Sequence, residues 1–347
     1  MNEETIRRRA TVHDVARAAG VSLATVDRVL NGRPGVRAAT AEKVEQAIAE
    51  LGFARDLNAS LMARARDLSV VFFIPDGSNE FMDSLAEAVH RRSPLALADR
   101  IHLDLRRVRA LDAAGLAESL NRLAPRECDC AVIVSSDEPE VLAAIDAAQR
   151  RGIAVMTLVS DLPASARRNF IGIDNIAAGR TAASLLGRFL PRGGKIAVVA
   201  GSLHLRDHAE RLDGFRAALS AEFPALEIIG PLEGHDERTE TAEIIAALLA
   251  EHADLGGLYN LGAGNAGLVS ALEASGRSGN LRVIAHELTA PTRAGLQSGA
   301  IDVVLDQNPD GEIREAIAAA RALALDASRV AVTDPIEIGI FLRDNLR

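Results

Sequence analysis

The chain has 347 residues, 48% of them apolar and 25% charged, with a formal net charge of -9; this is the balance of a soluble globular protein long enough for two or three domains. No apolar run reaches the roughly 18–20 residues that span a bilayer, and the first residues lack the apolar stretch of a signal peptide, so a cytoplasmic protein without membrane contact is expected. Residues 1–66 hold 11 Lys and Arg against 8 Asp and Glu, an excess of +3 that leaves -12 for the remainder, the profile of a basic nucleic-acid-binding head on an acidic body.

Three short helices are predicted in the first 52 residues. Thr11 stands before Val12–Ala19 with Asp14 at the third helical position, a capping-type start, and Gly20 allows a left-handed stop. Ser22 caps a second helix from Leu23 to about Leu30, ended by Asn31-Gly32. A third runs from about Ala38 to Leu51, with Val44, Ala47, Ile48 and Leu51 on one face. Two helices joined by Gly20-Val21-Ser22 form a helix-turn-helix unit whose small core is Val15, Ala16, Val21, Val26 and Val29. The first helix braces, and the second enters a major groove about one helix wide. Residues 55–67 are polar and Arg-rich, with Leu57, Leu61 and Met62 but no core of their own, and read as a linker.

From Leu68 the texture changes. Val70–Ile74, Ala131–Val134, Ala154–Leu158, Lys195–Val199 and Leu281–Ile284 are short apolar strands, with helical patterns such as Pro139–Arg151, Ala177–Leu190, Arg206–Ala221 and Glu240–His252 between them. Such alternation implies parallel sheets covered by helices on both faces. About 280 residues exceed one small sheet, so two α/β lobes are expected. Ligands in these sheets bind beyond the strand C-terminal ends. Polar residues do cluster there: Asp76 and Asn79; Ser135, Ser136 and Asp137; Ser160 and Asp161; Asn260; His286 and Glu287; Asp306 and Gln307.

The two cysteines, Cys128 and Cys130, read as the start of a buried strand rather than a metal site or disulfide. No P-loop, Gly-x-Ser-x-Gly elbow or His-Glu-x-x-His helix is present. Gly262-Ala263-Gly264-Asn265-Ala266-Gly267 fits the letters of a dinucleotide loop, but no acidic residue follows about twenty positions on. A strand-to-helix turn lining a cleft is the better reading. Neither an enzyme nor a cofactor is expected.

The run from Thr11 to Asn31, continued by Thr40-Ala41-Glu42-Lys43-Val44, resembles the DNA-binding head of the LacI/GalR family of bacterial transcription regulators. The rest resembles ribose-type periplasmic binding proteins, as that family's effector domains do. Its carriers are Ile173–Gly179, Val199–Ser202 followed by Arg211–Phe215, and Asp306-Gln307-Asn308-Pro309. The resemblance implies an all-α helix-turn-helix head (1–54), a hinge helix (55–67) and a two-lobed α/β effector and dimerisation domain (68–347).

It further implies that Leu23, Ala24 and Arg28 face base edges, Arg28 by bidentate contact to guanine, and that Thr11, Ser22, Thr25 and Asn31 suit phosphates. Met62 stands where a leucine wedges into the minor groove, and Ala59 is retained, though Arg55-Asp56 replaces the family's Pro-Asn pair. Asp27 departs from a usual small residue and orients Arg28 or Arg33, or accepts from cytosine. In the body, Arg211 resembles the arginine that pairs with sugar hydroxyls. Asn260 and Gln307 match amides with both donor and acceptor, and Phe81 matches a ring-stacking aromatic. Ser160, Asp161, Asn265 and Asp76 face the same pocket. Glu287 keeps an aspartate's acceptor with longer reach, and His286 replaces an aromatic. The expected partners are pseudo-palindromic operator DNA, a second copy of the chain and a small polar effector. A sugar, sugar phosphate or cyclitol fits, with an unphosphorylated polyol preferred. A solute-binding protein, or an activator-type regulator sensing a non-sugar ligand, is the alternative.

Overall fold

A computed structural model describes residues 10–30, 35–51, 53, 67–325 and 336–346. The head is three helices: α1 (Val12–Ala19), α2 (Leu23–Leu30) and α3 (Ala38–Leu51). Thr11 and Asp14 form a reciprocal capping box, and Gly20 closes α1 at φ 64°, a conformation glycine adopts without a Cβ clash. Val15, Val26 and Val44, fully buried, are the centre of a small core with Ala16 and Ala47. Val21, Val29, Ile48 and Phe53 pack around it. Leu51, expected on the inner face, is exposed at 39%. Phe53 N–H donates back to the Ile48 carbonyl (3.0 Å), so the chain folds over the end of α3 and Phe53 takes the place expected of Leu51.

The body has two parallel sheets. In the first, β1 (Leu68–Asp76), β2 (Ile101–Arg109), β3 (Cys130–Ile133), β4 (Ala154–Leu158) and β5 (Asn169–Ile171) lie in the order β2-β1-β3-β4-β5. The second contains β6 (Gly194–Ala200), β7 (Leu226–Glu233), β8 (Leu255–Asn260), β9 (Arg282–His286), β10 (Val303–Asp306) and β11 (Gly339–Phe341) in the order β11-β10-β9-β8-β6-β7. Only β11 among these runs antiparallel. Both orders reverse direction beside their central strands, which opens a crevice at the strand C-terminal ends.

Side-chain alternation sorts the cores. Val70, Phe72 and Ile74 face α4 (Glu80–Ala98) and α12 (Pro309–Leu325), while Val71 and Phe73 face α5 (Ala113–Arg122) and α6 (Pro139–Arg150). In the second lobe Ile196, Val198 and Ala200 face α7 (Asn175–Phe189) and α8 (Arg206–Glu222). Ala197 and Val199 face α9 (Arg238–Glu251), α10 (Asn265–Ser275) and α11 (Ala290–Ser298). Burying both faces explains why these strands read as unbroken apolar runs. The chain enters the second lobe after β5, returns with α12, whose Ile313, Ala316, Ala319 and Ala320 complete the first lobe's core, and re-enters the second at β11.

Cys128 and Cys130 are buried free thiols beside and within β3. Desolvation pushes Cys128 up to about 12 and Cys130 well above the ordinary thiol value, so both stay protonated and unreactive.

Candidate functional sites: a helix-turn-helix face and an interlobe cleft

On the head, Val26 is buried on the inner side of α2, while Leu23, Ala24 and Arg28 are exposed on its outer side. The Ser22 hydroxyl caps α2, accepting from Thr25 N–H (3.2 Å), and lies 2.9 Å from the Thr25 hydroxyl. Thr11 is engaged with Asp14, its hydroxyl donating at 2.7 Å. Both cap residues therefore stand at helix N-termini, where backbone N–H groups and polar side chains suit phosphate. Asp27 is exposed beside Arg28. Asn31, Ala59 and Met62 lie outside the described residues, as does the linker apart from Asp67, whose carboxylate takes a hydrogen bond from Arg100 (2.8 Å).

The cleft is built around Arg211 on α8. Its backbone is drawn against α7 because both contact points are glycine: a Cβ on Gly179 would stand 1.9 Å from the Arg211 carbonyl oxygen, and one on Gly214 2.1 Å from the Ile176 carbonyl oxygen. Arg211 is 1% exposed. Its Nε donates to Asn175 Oδ1 (2.9 Å) and its Nη1 to the Leu261 carbonyl (2.8 Å). Nη1 also lies 3.6 Å from Glu287 Oε1, and Nη2 lies 3.9 Å from Asp207 Oδ2. Nη2 itself has no hydrogen-bond partner.

Phe81, Val134 and Ser160 come from the first lobe to meet Arg211, Asp207, Glu287 and Gln307 from the second, around a cavity of about 30 Å³. Gln307 Nε2 donates to Glu287 Oε1 (2.7 Å). Glu287 Oε2, Gln307 Oε1 and Asp207 Oδ1, all buried, have no hydrogen-bond partner. Burial pushes the Glu287 carboxyl up to about 8, against the opposing pull of Arg211, so near neutrality it carries a proton and presents a hydroxyl as well as a carbonyl. Among the described residues, three hydrogen bonds join the lobes: Asn79 Nδ2 to Asp236 Oδ2 (3.2 Å), Ser78 Oγ to the Asp236 carbonyl (3.4 Å), and Asp207 N–H to Ser160 Oγ (3.4 Å). Three non-glycine residues lining the cleft have left-handed backbones, Val159 (φ 68°), Asp236 (φ 60°) and Glu287 (φ 70°). That conformation costs roughly 1–3 kcal/mol in a β-branched residue such as Val159, and such strain is stored at functional sites.

Five of the nine expected pocket residues are thus brought together: Phe81, Ser160, Arg211, Glu287 and Gln307. The others are placed elsewhere. Asp161 follows β4 but turns away, its carboxylate held by Arg167 (Nη2 at 2.6 Å) and by the Thr157 hydroxyl (2.9 Å). Asn260 and Asn265 are buried beneath the floor. Asn260 Nδ2 donates to Asn265 Oδ1 (2.8 Å) and to the Ala263 carbonyl (3.0 Å), and Asn265 Nδ2 to the His286 carbonyl (3.0 Å). They support the floor; the turn they hold, through Gly262 and Ala263, does line the cleft. Asp76 is exposed on the rim of a neighbouring chamber. His286 lies in the core against Tyr259, its Nε2 2.9 Å from the phenol oxygen. Burial, with Arg211 nearby, lowers its pKa and keeps it neutral.

Sequence reasoning missed Asp207, whose spacing of four residues before Arg211 on one helix was an available signal. It also missed Glu312, a wholly buried carboxyl on α12 with no hydrogen-bond partner on either oxygen. Burial and the nearby Glu287 and Asp306 raise its pKa well above the ordinary value. Among the described residues, no group of three His, Cys, Asp or Glu side chains is arranged to hold a metal ion, and no helix is long and apolar enough to cross a membrane.

A helix-turn-helix head on a two-lobed body with a polar interlobe cleft defines a DNA-binding regulator with a solute-binding-protein type of body. Comparison with known proteins gives the family. Residues 11–56 match the family of bacterial regulatory proteins of the lacI type, and residues 70–327 match the periplasmic binding protein domain. The chain is 30% identical over 290 residues to the maltose regulon regulatory protein MalI of Escherichia coli, covering 78% of this chain and 79% of that one. It is 41% identical over 87 residues to the sucrose operon repressor of Vibrio alginolyticus, which is 23% of this chain and 92% of that one. The fold matches a solute-binding protein of Burkholderia graminis crystallised with D-arabinose, with a TM-score of 0.75 and 23% identity over 81% of this chain and 97% of that one. The chain belongs to the lacI family of bacterial regulatory proteins, which are transcription regulators and not enzymes.

Proposed function

We propose that this regulator is a homodimeric, cytoplasmic repressor of an operon for uptake or breakdown of a carbohydrate or polyol, and that a sugar or cyclitol held between the lobes controls its grip on a pseudo-palindromic operator. The observation that carries the effector assignment is the buried set around Arg211. One guanidinium nitrogen of Arg211 and one oxygen each of Asp207, Glu287 and Gln307 lack hydrogen-bond partners in one cleft. A buried polar group left alone costs about 1–3 kcal/mol, and hydroxyls, which donate and accept at once, satisfy such a mixed set. Arg211 is the one arginine or lysine lining this cavity among the described residues, which favours an uncharged polyol over a sugar phosphate. The names of the maltose and sucrose regulators, and the D-arabinose in the matched binding protein, agree with this class.

For DNA, Leu23, Ala24 and Arg28 read bases, and Thr11, Ser22, Thr25 and Asn31 hold phosphates. Residues 55–67 form the hinge, with Ala59 and Met62 at the minor groove. One head touches too few bases for an operator, so two-fold pairing follows. Effector binding and lobe closure are linked to operator affinity as a coupling free energy.

The test is a thermal-shift screen of sugars, polyols, cyclitols and sugar phosphates, followed by operator binding with each hit. A ligand at 100 times its dissociation constant adds roughly 2.7 kcal/mol of stability, and this shift is lost in Arg211→Ala. No shift from any compound removes the polyol reading and leaves the DNA-binding one. Arg28→Ala is expected to lower discrimination between operator and random DNA by about 10- to 100-fold while keeping salt-sensitive binding. Unchanged discrimination removes Arg28 from base reading.

A further inference from the structure

The charges around the cleft do not balance. Among the described residues its lining carries three carboxyl groups, Asp207, Asp236 and Glu287, against one guanidinium, Arg211. A fourth carboxyl, Glu312 on α12, is wholly buried and close enough for Glu287, Asp207 and Arg211 to act on its ionisation. Asp236 is satisfied within the protein: its Oδ2 accepts from Asn79 (3.2 Å) and its Oδ1 from Ala263 N–H (2.8 Å). Asp306, at the end of β10, likewise accepts from the N–H groups of Leu288 (2.9 Å) and Asn308 (3.0 Å). Asp207, Glu287 and Glu312 are left.

Arg211 does not satisfy them. Its hydrogen bonds go to two neutral oxygens, Asn175 Oδ1 and the Leu261 carbonyl. Glu287 Oε1 stands 3.6 Å from Nη1 and Asp207 Oδ2 stands 3.9 Å from Nη2, both beyond hydrogen-bond reach. His208 Nε2 lies 3.7 Å from the same Asp207 oxygen, while its Nδ1 faces the Ser202 backbone. The groups without partners are therefore uneven. Asp207 Oδ1, Glu287 Oε2 and Gln307 Oε1 on the lining, and both oxygens of Glu312, stand against a single guanidinium nitrogen, Arg211 Nη2.

Burial holds the carboxyls of Glu287 and Glu312 protonated against the pull of Arg211. A buried carboxyl that keeps its proton for want of a cation gives it up when a cation arrives. A hydroxyl brings one donor. A primary ammonium brings three donors, no acceptor and a positive charge, which suits a set short of donors and of cations at once. With Arg211 it would balance Asp207 and Glu287, two charges against two.

We propose that the effector is a polyol bearing a primary ammonium, an amino sugar or aminocyclitol, with the ammonium between Asp207 and Glu287 and hydroxyls on Arg211 and Gln307. This rests on the polyol reading of the cleft. It carries the charge balance that sets a polyol above a sugar phosphate one step further, from a neutral ligand to a cationic one.

The experiment uses the full chain and calorimetric titration at slightly acid pH, where the amines are charged. The probes are 2-amino-2-deoxyhexoses and an inosamine, each with its hydroxyl parent and its N-acetyl derivative. For at least one set the amine binds about tenfold or more tightly than the parent, as expected of hydrogen bonds to charged groups. The N-acetyl form, which keeps the nitrogen and loses the charge, has no such advantage. Asp207→Asn and Glu287→Gln, close in shape to the originals, each lower the ratio of amine to parent affinity by about threefold or more. The N-acetyl comparison needs no variant, so a variant that fails to fold does not spare the proposal. Amines no tighter than their parents, an N-acetyl form as tight as its amine, or a ratio unchanged in both variants overturns the ammonium and leaves the polyol reading standing. No binding by any of these compounds overturns both.

Discussion

Asn79 Nδ2 donates to Asp236 Oδ2 at 3.2 Å, joining the start of α4 in the first lobe to the β7–α9 turn of the second. Each residue has a further partner in its own lobe. Asn79 Oδ1 caps α4 by accepting from Phe81 N–H (3.0 Å), and Asp236 Oδ1 accepts from Ala263 N–H (2.8 Å). Asn79→Asp keeps the cap but sets a second carboxylate against Asp236. The expected result is lobes that part: a larger radius of gyration by small-angle scattering and effector affinity lowered by about tenfold, with a thermal midpoint close to that of the parent. A variant as compact as the parent and binding as well would show that this contact does not hold the lobes together.

Gly179→Ala places a methyl group where the Arg211 carbonyl oxygen stands, 1.9 Å away. The rigid neighbours are backbone, so the helices must separate. Overpacking of this kind costs roughly 1–3 kcal/mol, and the shift moves Arg211 away from Asn175 and Leu261. Urea unfolding should give a lower midpoint and titration a weaker effector. A midpoint within error of the parent, with intact binding, would show that α8 is not positioned by this crossing.

Glu287 gives a pH signature. Its folded value of about 8 lies above the ordinary 4.5, so between these values the folded chain holds a proton that the unfolded chain has released. The stability it contributes is complete below about 4.5 and is lost as pH rises toward 8, by at most about 1.4 kcal/mol per unit. His286 runs the other way, because its lowered value makes stability fall as pH drops below 6.5. Glu287→Gln removes the first effect and keeps the second. The stability of the parent relative to this variant should therefore decline from pH 5 to pH 8 and level off above. A constant difference across that range would place the Glu287 carboxyl at its ordinary value.

Strands buried on both faces were legible because their residues are uniformly apolar. The second strand, Ile101–Arg109, has no such run: it forms the sheet edge, its side chains are mostly half-exposed, and Asp104, Arg106, Arg107 and Arg109 interrupt the apolar pattern. Edge strands carry such charges to block pairing with another chain. Arg211, Glu287 and Gln307 are legible through resemblance and position, while Asp207 and Glu312 are not, because an acidic residue on a helix ordinarily faces water. Asp161 shows the limit of reading polar residues after strands. Ser160, one position earlier, enters the cleft, and an arginine six residues later draws Asp161 out of it.

The threefold passage of the chain between lobes also sets an order on the ribosome. The head closes its core with Phe53 and can fold while the rest is still being made. The first lobe cannot: its β1 face waits for Ile313, Ala316, Ala319 and Ala320, which emerge nearly 250 residues after Leu68 at about 5–20 residues per second. During that interval Val70, Phe72 and Ile74 have no helix from the far end of the chain to cover them. The nascent protein thus carries a finished DNA reader before it owns a sensor, and the sensor's two halves become complete only as synthesis ends.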